Sequence, residues 1–251
     1  MPPLRDLHPG VHALLCDADG NLFPSEEPAF DASATVTNDF LVRIGSTQWW
    51  DADELRRAAL GRNFRALAED LLSDHGVSMA ADELDTWVRR EQDVVTERLG
   101  RLLRPDDAVR APLARIAARR RLALVSSSAL GRLDRCLVAT GLADLFPKEV
   151  RVSAQDSLPE PTSKPDPAVY LAALRVLAIE PGQALAVEDA VSGVLSAVGA
   201  GIPVVGNLAF VPVAERQQRE HDLLKAGASA VVADWASIET MMDDTEQQVL
   251  T

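Results

Sequence analysis

Cysteine, positive charge and long apolar runs are all in short supply in this 251-residue chain, and each scarcity removes a class of function. Two cysteines, Cys16 and Cys136, cannot form the disulfide framework of a small secreted domain; they are expected as reduced, buried thiols, one in a strand and one in a helix. No apolar run approaches the ~20 residues of a membrane span, and the opening Met1-Pro2-Pro3-Leu4-Arg5-Asp6 has no apolar signal core, so the expected location is the cytoplasm, with no membrane partner. Lys and Arg number 25 against 38 Asp and Glu, and the resulting charge of −13 repels phosphate backbones, so nucleic acid is not an expected partner. A phosphorylated ligand would need cations placed locally. The four histidines, His8, His12, His75 and His221, show no metal-ligand spacing, and there is no internal repeat or low-complexity tract. The acidic stretch 243–248 reads as a solvated terminus.

What remains, 47% hydrophobic and 25% charged residues, suffices for a large core in one domain or in a domain with an inserted lobe. The stretch that organises the rest is the apolar run Ala13-Leu14-Leu15-Cys16, which stops at Asp17, Asp19 and Gly20. It is too short for a helix and lacks a 3.6-residue pattern, so it reads as a buried strand of a parallel sheet. Asp17-Ala18-Asp19-Gly20 alone is an ordinary turn sequence. As a calcium loop it fails, because Leu22 stands at the sharp-turn glycine and Pro28 at the bidentate Glu.

Between 23 and 103 helical spacing replaces strand-like runs, with helices expected over 53–60, 64–74 and 82–99. This is an all-helical lobe inserted after the first strand, in which Trp49, Trp50 and Trp87 are expected to pack and Arg65 to lie at the surface. The loop Gly61-Arg62-Asn63 offers Arg62 as a candidate contact to a substrate's distal anion. From 105 onward helices alternate with the short strands 122–125, 150–152, 184–187, 202–205 and 230–232. The expected fold is α/β, a Rossmann-like parallel sheet with helices on both faces, formed by 1–22 and 104–251, with the helical lobe 23–103 as a second domain.

Strand ends or the loops after them carry Asp17 and Asp19, then Ser126 with Ser127, then Lys164, then Glu188 with Asp189. In such sheets these ends open on one edge, where ligands bind. Acids converging there repel one another unless a cation lies among them, and carboxylate oxygens select a hard one; Mg²⁺ suits a site shared with a phosphate. The residues also have plain structural uses. Ser126 to Ser128 can cap a helix, Asp166 and Pro167 read as N-cap and first helical residue, and Glu188-Asp189 can open the next helix.

Taken together, Leu14-Leu15-Cys16-Asp17-Ala18-Asp19-Gly20-Asn21-Leu22, Val125-Ser126-Ser127, Ser163-Lys164-Pro165 and Val187-Glu188-Asp189 with Gly193 resemble the four motifs of the haloacid dehalogenase superfamily. The likeness is to its phosphatase and β-phosphoglucomutase-like branch, which carries a helical cap after the first motif. The resemblance implies that Asp17 is the nucleophile that becomes an aspartyl phosphate and that Asp19 is the acid-base, its main-chain carbonyl helping to hold the metal. It implies that Glu188 and Asp189 anchor Mg²⁺ with Asp17, that Ser126 and Ser127 bind phosphate, and that Lys164 pairs with nucleophile and phosphoryl group. One departure is Asn21, where the family more often has Thr. A dehalogenase needs no carboxylate at Asp19, so the implied enzyme is a Mg²⁺-dependent phosphatase of a small phosphorylated metabolite, a monomer or small homo-oligomer. The alternatives are a phosphosugar mutase, which usually has a histidine shortly after the first motif that 24–29 lacks, and a non-catalytic binding module, which predicts loss of a core residue.

Overall fold

The computed structural model describes residues 10–59 and 63–243. Two compact units emerge: the residues up to Pro24 together with those from Arg104 onward, and Ser25–Leu103.

The first unit holds a six-stranded, all-parallel sheet: β1 (Ala13–Cys16), β2 (Arg121–Ser126), β3 (Arg151–Ser153), β4 (Ala184–Glu188), β5 (Val204–Asn207) and β6 (Ala230–Val232), in the order β3-β2-β1-β4-β5-β6. β1 is apolar throughout and fully buried because strands in such a sheet are covered on both faces. Its side chains alternate. Ala13 and Leu15, with Ala123, Val125, Ala184 and Ala186 of the flanking strands, pack on Val169, Tyr170 and Ala173 of one helix and Val194 and Ala197 of another. Leu14 and Cys16, equally buried, point to the opposite face.

Register decides what the sheet edge presents. Cys16 pairs with Leu124 on one side and Val187 on the other, and the Asp17 amide donates to the Val187 carbonyl at 3.0 Å. One step further along, Asp17 is level with Val125 and Glu188. The order places β1 between β2 and β4, where the winding of the sheet reverses and a crevice opens beyond the strand ends.

Ten α-helices lie among the described residues. Four form the second unit: α1 (Glu26–Arg43), α2 (Ala52–Ala59), α3 (Phe64–Asp74) and α4 (Ala81–Leu102). Phe40, Leu41, Leu55, Phe64, Leu67, Leu71 and Leu84 make its core, with Phe40 edge-on to both Phe64 and Trp87. α1 escapes a reading by hydrophobic spacing because Thr37 and Asn38 occupy buried positions on it. Asn38 is used structurally, exchanging two 2.8 Å hydrogen bonds with the main chain of Trp50. Trp50 and Trp87 pack against this core as expected, but Trp49 does not: it is 71% exposed.

The other six helices belong to the sheet unit: α5 (Asp107–Ala117), α6 (Leu130–Thr140), α7 (Ala168–Leu177), α8 (Val191–Gly199), α9 (Arg216–Ala226) and α10 (Trp235–Asp243). α7 begins one residue later than its sequence suggests: Pro167 is the cap residue, and Asp166 does the capping by accepting the Ala168 amide at 2.8 Å. No helix among the described residues is long and apolar enough to cross a membrane.

Candidate active site

Lys164 stands at the centre of a buried ionic cluster. Its Nζ donates to Asp17 Oδ1 at 2.5 Å, to Glu188 Oε1 at 2.6 Å and to the Val125 carbonyl at 2.9 Å, which uses all three ammonium donors. The three side chains are 6%, 10% and 1% exposed, so water screens little of the interaction. Tyr170, from the buried face of α7, donates its hydroxyl to the same Glu188 oxygen, and its ring lies 5.2 Å from the Lys164 ammonium. Burial would lower the pKa of Lys164, but Asp17 and Glu188 outweigh that and hold it above the ordinary lysine value. Asp17 moves up too. Burial pushes it to about 8; Lys164 opposes that rise, and Glu188 and then Asp19 add to it. One ammonium here serves two carboxylates, so carrying both as anions calls for a further cation.

The donor set fits a divalent one. Asp17, Glu188 and Asp189, all buried, each offer a carboxylate oxygen, and these atoms lie within 4.8 Å of one another. Bonds of 2.0–2.1 Å to Mg²⁺ would put neighbouring ligand oxygens about 3 Å apart and opposite ones about 4 Å apart, so small side-chain adjustments suffice. Two glycines make the cradle. A Cβ on Gly20 would stand 2.3 Å from Asp189 Oδ2, and at φ +77° the position suits glycine in any case. A Cβ on Gly193 would stand 1.8 Å from Glu188 Oε2. Asp189 is held by Arg219, whose Nη1 donates to its main-chain carbonyl at 2.8 Å and lies 3.9 Å from its Oδ2.

Asp19 differs from Asp17 in being 23% exposed, and both its carboxylate oxygens are held: Oδ1 by Arg132 Nη2 at 2.8 Å and Oδ2 by Ser128 Oγ at 2.7 Å. The turn that carries both acids is anchored by Asn21. Its side-chain amide donates to the Asp17 carbonyl at 2.9 Å and the Val187 carbonyl at 3.1 Å, and its oxygen accepts from Asn207 at 2.8 Å. Trp235 adds a bond from Nε1 to the Asn21 carbonyl at 2.9 Å. Ser126 closes β2 with its hydroxyl accepting the Ser128 amide at 3.0 Å, and Ser127 Oγ accepts the Lys164 amide at 3.1 Å. Neither cysteine contributes chemistry, since burial raises both thiols, Cys136 to about 12.

Of the residues singled out from sequence, Asp17, Asp19, Ser126, Ser127, Lys164, Glu188 and Asp189 therefore come together at one sheet edge, while Arg62 lies outside the described residues. Sequence reasoning missed Ser128, Arg132, Tyr170 and Arg219. Tyr170 had one signal, being the lone tyrosine of the chain and lying in an otherwise apolar helix. Arg132 and Arg219 had none, because each looks like a solvated helix cation until its partner more than two dozen residues away in sequence is known.

Residues 6–201 match the haloacid dehalogenase-like hydrolase family. Protein CbbY of Rhodobacter capsulatus is 30% identical over 202 residues, 78% of this chain and 84% of that protein. The fold is shared with a haloacid dehalogenase hydrolase of Entamoeba histolytica (TM-score 0.71, 20% identity, 94% of this chain and 100% of that one). It is also shared with a CbbY variant from Rhodobacter sphaeroides in complex with xylulose 1,5-bisphosphate (TM-score 0.68, 23% identity, 90% of this chain and 95% of that one).

Proposed function

This chain belongs to the haloacid dehalogenase-like hydrolase family, and we propose that it is a Mg²⁺-dependent phosphatase of a small phosphorylated metabolite, working through an aspartyl phosphate on Asp17. The observation that carries the reading is the pairing of two acids one residue apart on the same strand end: Asp17 sealed against Lys164, Asp19 at the open side. A nucleophile needs the first environment. An acid-base that meets the substrate's leaving oxygen needs the second.

In this mechanism an Asp17 oxygen attacks phosphorus in line with the ester oxygen. The bond from Asp17 to phosphorus forms, the bond from phosphorus to the ester oxygen breaks, and Asp19 delivers the proton that the departing alcohol takes up. Water then attacks the phosphorus of the aspartyl phosphate, giving a proton to Asp19; the bond from Asp17 to phosphorus breaks, which releases phosphate and restores the Asp17 carboxylate. Lys164 keeps positive charge beside the phosphoryl oxygens throughout, and Ser126 and Ser127 contribute hydrogen bonds from the end of β2. Asp17, Asp189 and the main-chain carbonyl of Asp19 would hold Mg²⁺, with Glu188 beside them, and the ion would neutralise phosphoryl charge as it builds up. The ligand of the related CbbY, a sugar bisphosphate, supports a phosphorylated metabolite as substrate.

The test is phosphate release from a panel of sugar, nucleotide and short-acid phosphates, with Mg²⁺ or with EDTA. Turnover should require the metal, and Asp17→Asn should lower kcat by about a thousandfold or more. Full activity in that variant, or isomerisation of a sugar 1-phosphate without free phosphate, would refute the reading.

A further inference from the structure

We propose that Arg132 is a specificity-determining residue that recognises a second anionic group, a carboxylate or a phosphate, a few bonds from the ester oxygen of the substrate. The inference rests on the phosphatase reading, which fixes the direction in which the substrate lies. With phosphorus at Asp17 and the ester oxygen at Asp19, the organic part of the substrate extends outward past Asp19. Among the described residues, Arg132 is the cation bonded to Asp19, its Nη2 2.8 Å from Oδ1.

Exposure separates the two cations sharply. Lys164 is 6% exposed and all three of its donors are committed to Asp17, Glu188 and the Val125 carbonyl, so its charge serves the phosphoryl end. Arg132 is 25% exposed and paired with Asp19, which is 23% exposed, so unlike Lys164 this ion pair is reached by solvent. Arg219 is engaged with Asp189, its Nη1 2.8 Å from the main-chain carbonyl and 3.9 Å from Oδ2, so its charge serves the acidic cluster. The position of Arg132 adds a second argument. It is the third residue of α6, where the helix dipole disfavours a cation, so Arg132 stands against local propensity and is held there by Asp19, beside the position the ester oxygen takes. The planar guanidinium fork also suits carboxylate and phosphate groups better than a lysine would. In a chain of charge −13, an anionic group on the substrate needs such a locally placed cation to enter the site.

The competing account makes Arg132 only a clamp that orients Asp19. The two differ in substrate dependence. Losing a clamp slows every phosphoester alike, whereas losing a recognition group costs substrates that carry the second anion more than those that do not. The experiment uses the full chain with Mg²⁺ and three matched substrates: ethyl phosphate with a neutral tail, 2-phosphoglycolate with a carboxylate, and ethylene glycol bisphosphate with a second phosphate. The wild type should favour at least one anionic tail over ethyl phosphate by tenfold or more in kcat/KM, and the two anionic arms identify which group is read.

Arg132→Gln should reduce that ratio at least tenfold, mainly through KM, and Arg132→Lys should retain more of it than Gln does. A smaller reduction, or parallel losses on all three substrates, overturns the proposal in favour of the clamp. Thermal melts establish that the variants fold, and Arg132→Lys carries the comparison should Arg132→Gln not. Calorimetric binding of the same compounds to Asp17→Asn protein, with and without Arg132→Gln, reads the preference independently of turnover. Loss of the phosphatase reading shows separately, as no phosphate released by the wild type from any of the three.

Discussion

Replacing Lys164 with Met tests the electrostatic reading of the site most directly, because the side chain is kept out to its fourth atom and loses the ammonium group with its charge and donors. Its removal leaves Asp17 and Glu188, 10% and 1% exposed, as buried neighbours with no cation between them. Donor oxygens of the acidic cluster lie within 4.8 Å of one another, and two unit charges at that separation repel by about 3 kcal/mol at an effective dielectric constant near 20. Loss of one partner from a buried ion pair costs about 3–5 kcal/mol, the same range. For a chain of this size that is a fall in Tm of roughly 6–20 °C. The pH dependence has a definite sign. The folded-state value of Asp17, about 8, lies above its unfolded value of 3.8, so the folded protein holds more protons between these limits and the stability from this group falls as pH rises through the window. Lys164 pulls that value down; without it Asp17 ionises still less readily. The Asp17 share of the deficit is therefore absent near pH 5, where both proteins keep Asp17 protonated, and sets in as pH passes 8, adding about 1.4 kcal/mol per pH unit until the variant's own carboxyl ionises. Urea unfolding of wild type and Lys164→Met at pH 5 and at pH 9, in EDTA and in saturating Mg²⁺, measures this. A deficit below about 1 kcal/mol at pH 9, or one that does not grow from pH 5 to pH 9, would show that the cluster is more hydrated than its burial implies.

Three further outcomes follow from the same geometry. Because Asp17 must lose its proton before it ligates, Mg²⁺ affinity should fall about tenfold per pH unit below pH 8 and be about a hundredfold weaker at pH 6; titration calorimetry in buffers of different ionisation enthalpy would detect the released proton, and a flat profile would exclude Asp17 from the ligand set. Gly193→Ala favours helix by intrinsic propensity, yet its Cβ would stand 1.8 Å from Glu188 Oε2, so thermal melts should show a loss of about 1–3 kcal/mol and phosphate release should drop; a more stable, fully active variant would contradict the close approach. Asn21→Thr, toward the residue more common at this position in the resembled superfamily, removes a donor from the Asp17 or Val187 carbonyl and the acceptor of Asn207 in a fully buried site, and should cost about 1–3 kcal/mol in denaturant unfolding; unchanged stability would mean that the asparagine network is replaceable.

How legible each part was depended on where its partner lies. The sheet could be read locally: short apolar runs such as Ala13–Cys16 and Ala184–Glu188 announce buried strands, and the acids at their ends announce an edge where a cation is wanted. α1 could not, because its buried Thr37 and Asn38 interrupt the apolar stripe and make sense only when Asn38 is seen holding the Trp50 backbone. Tyr170 reads as one more apolar residue of α7 until register sets Glu188 beside Asp17 and brings its hydroxyl onto that carboxylate. Arg132 is the extreme case, for its partner Asp19 stands 113 positions earlier and only the pairing of β1 with β2 brings them together. The acids of the edge are chosen by what a phosphoryl group and a cation demand, so they look alike wherever that chemistry is done. The groups that meet the rest of the substrate answer to a single molecule, leave no recurring pattern, and have to be found by asking which cation faces outward beside the leaving oxygen.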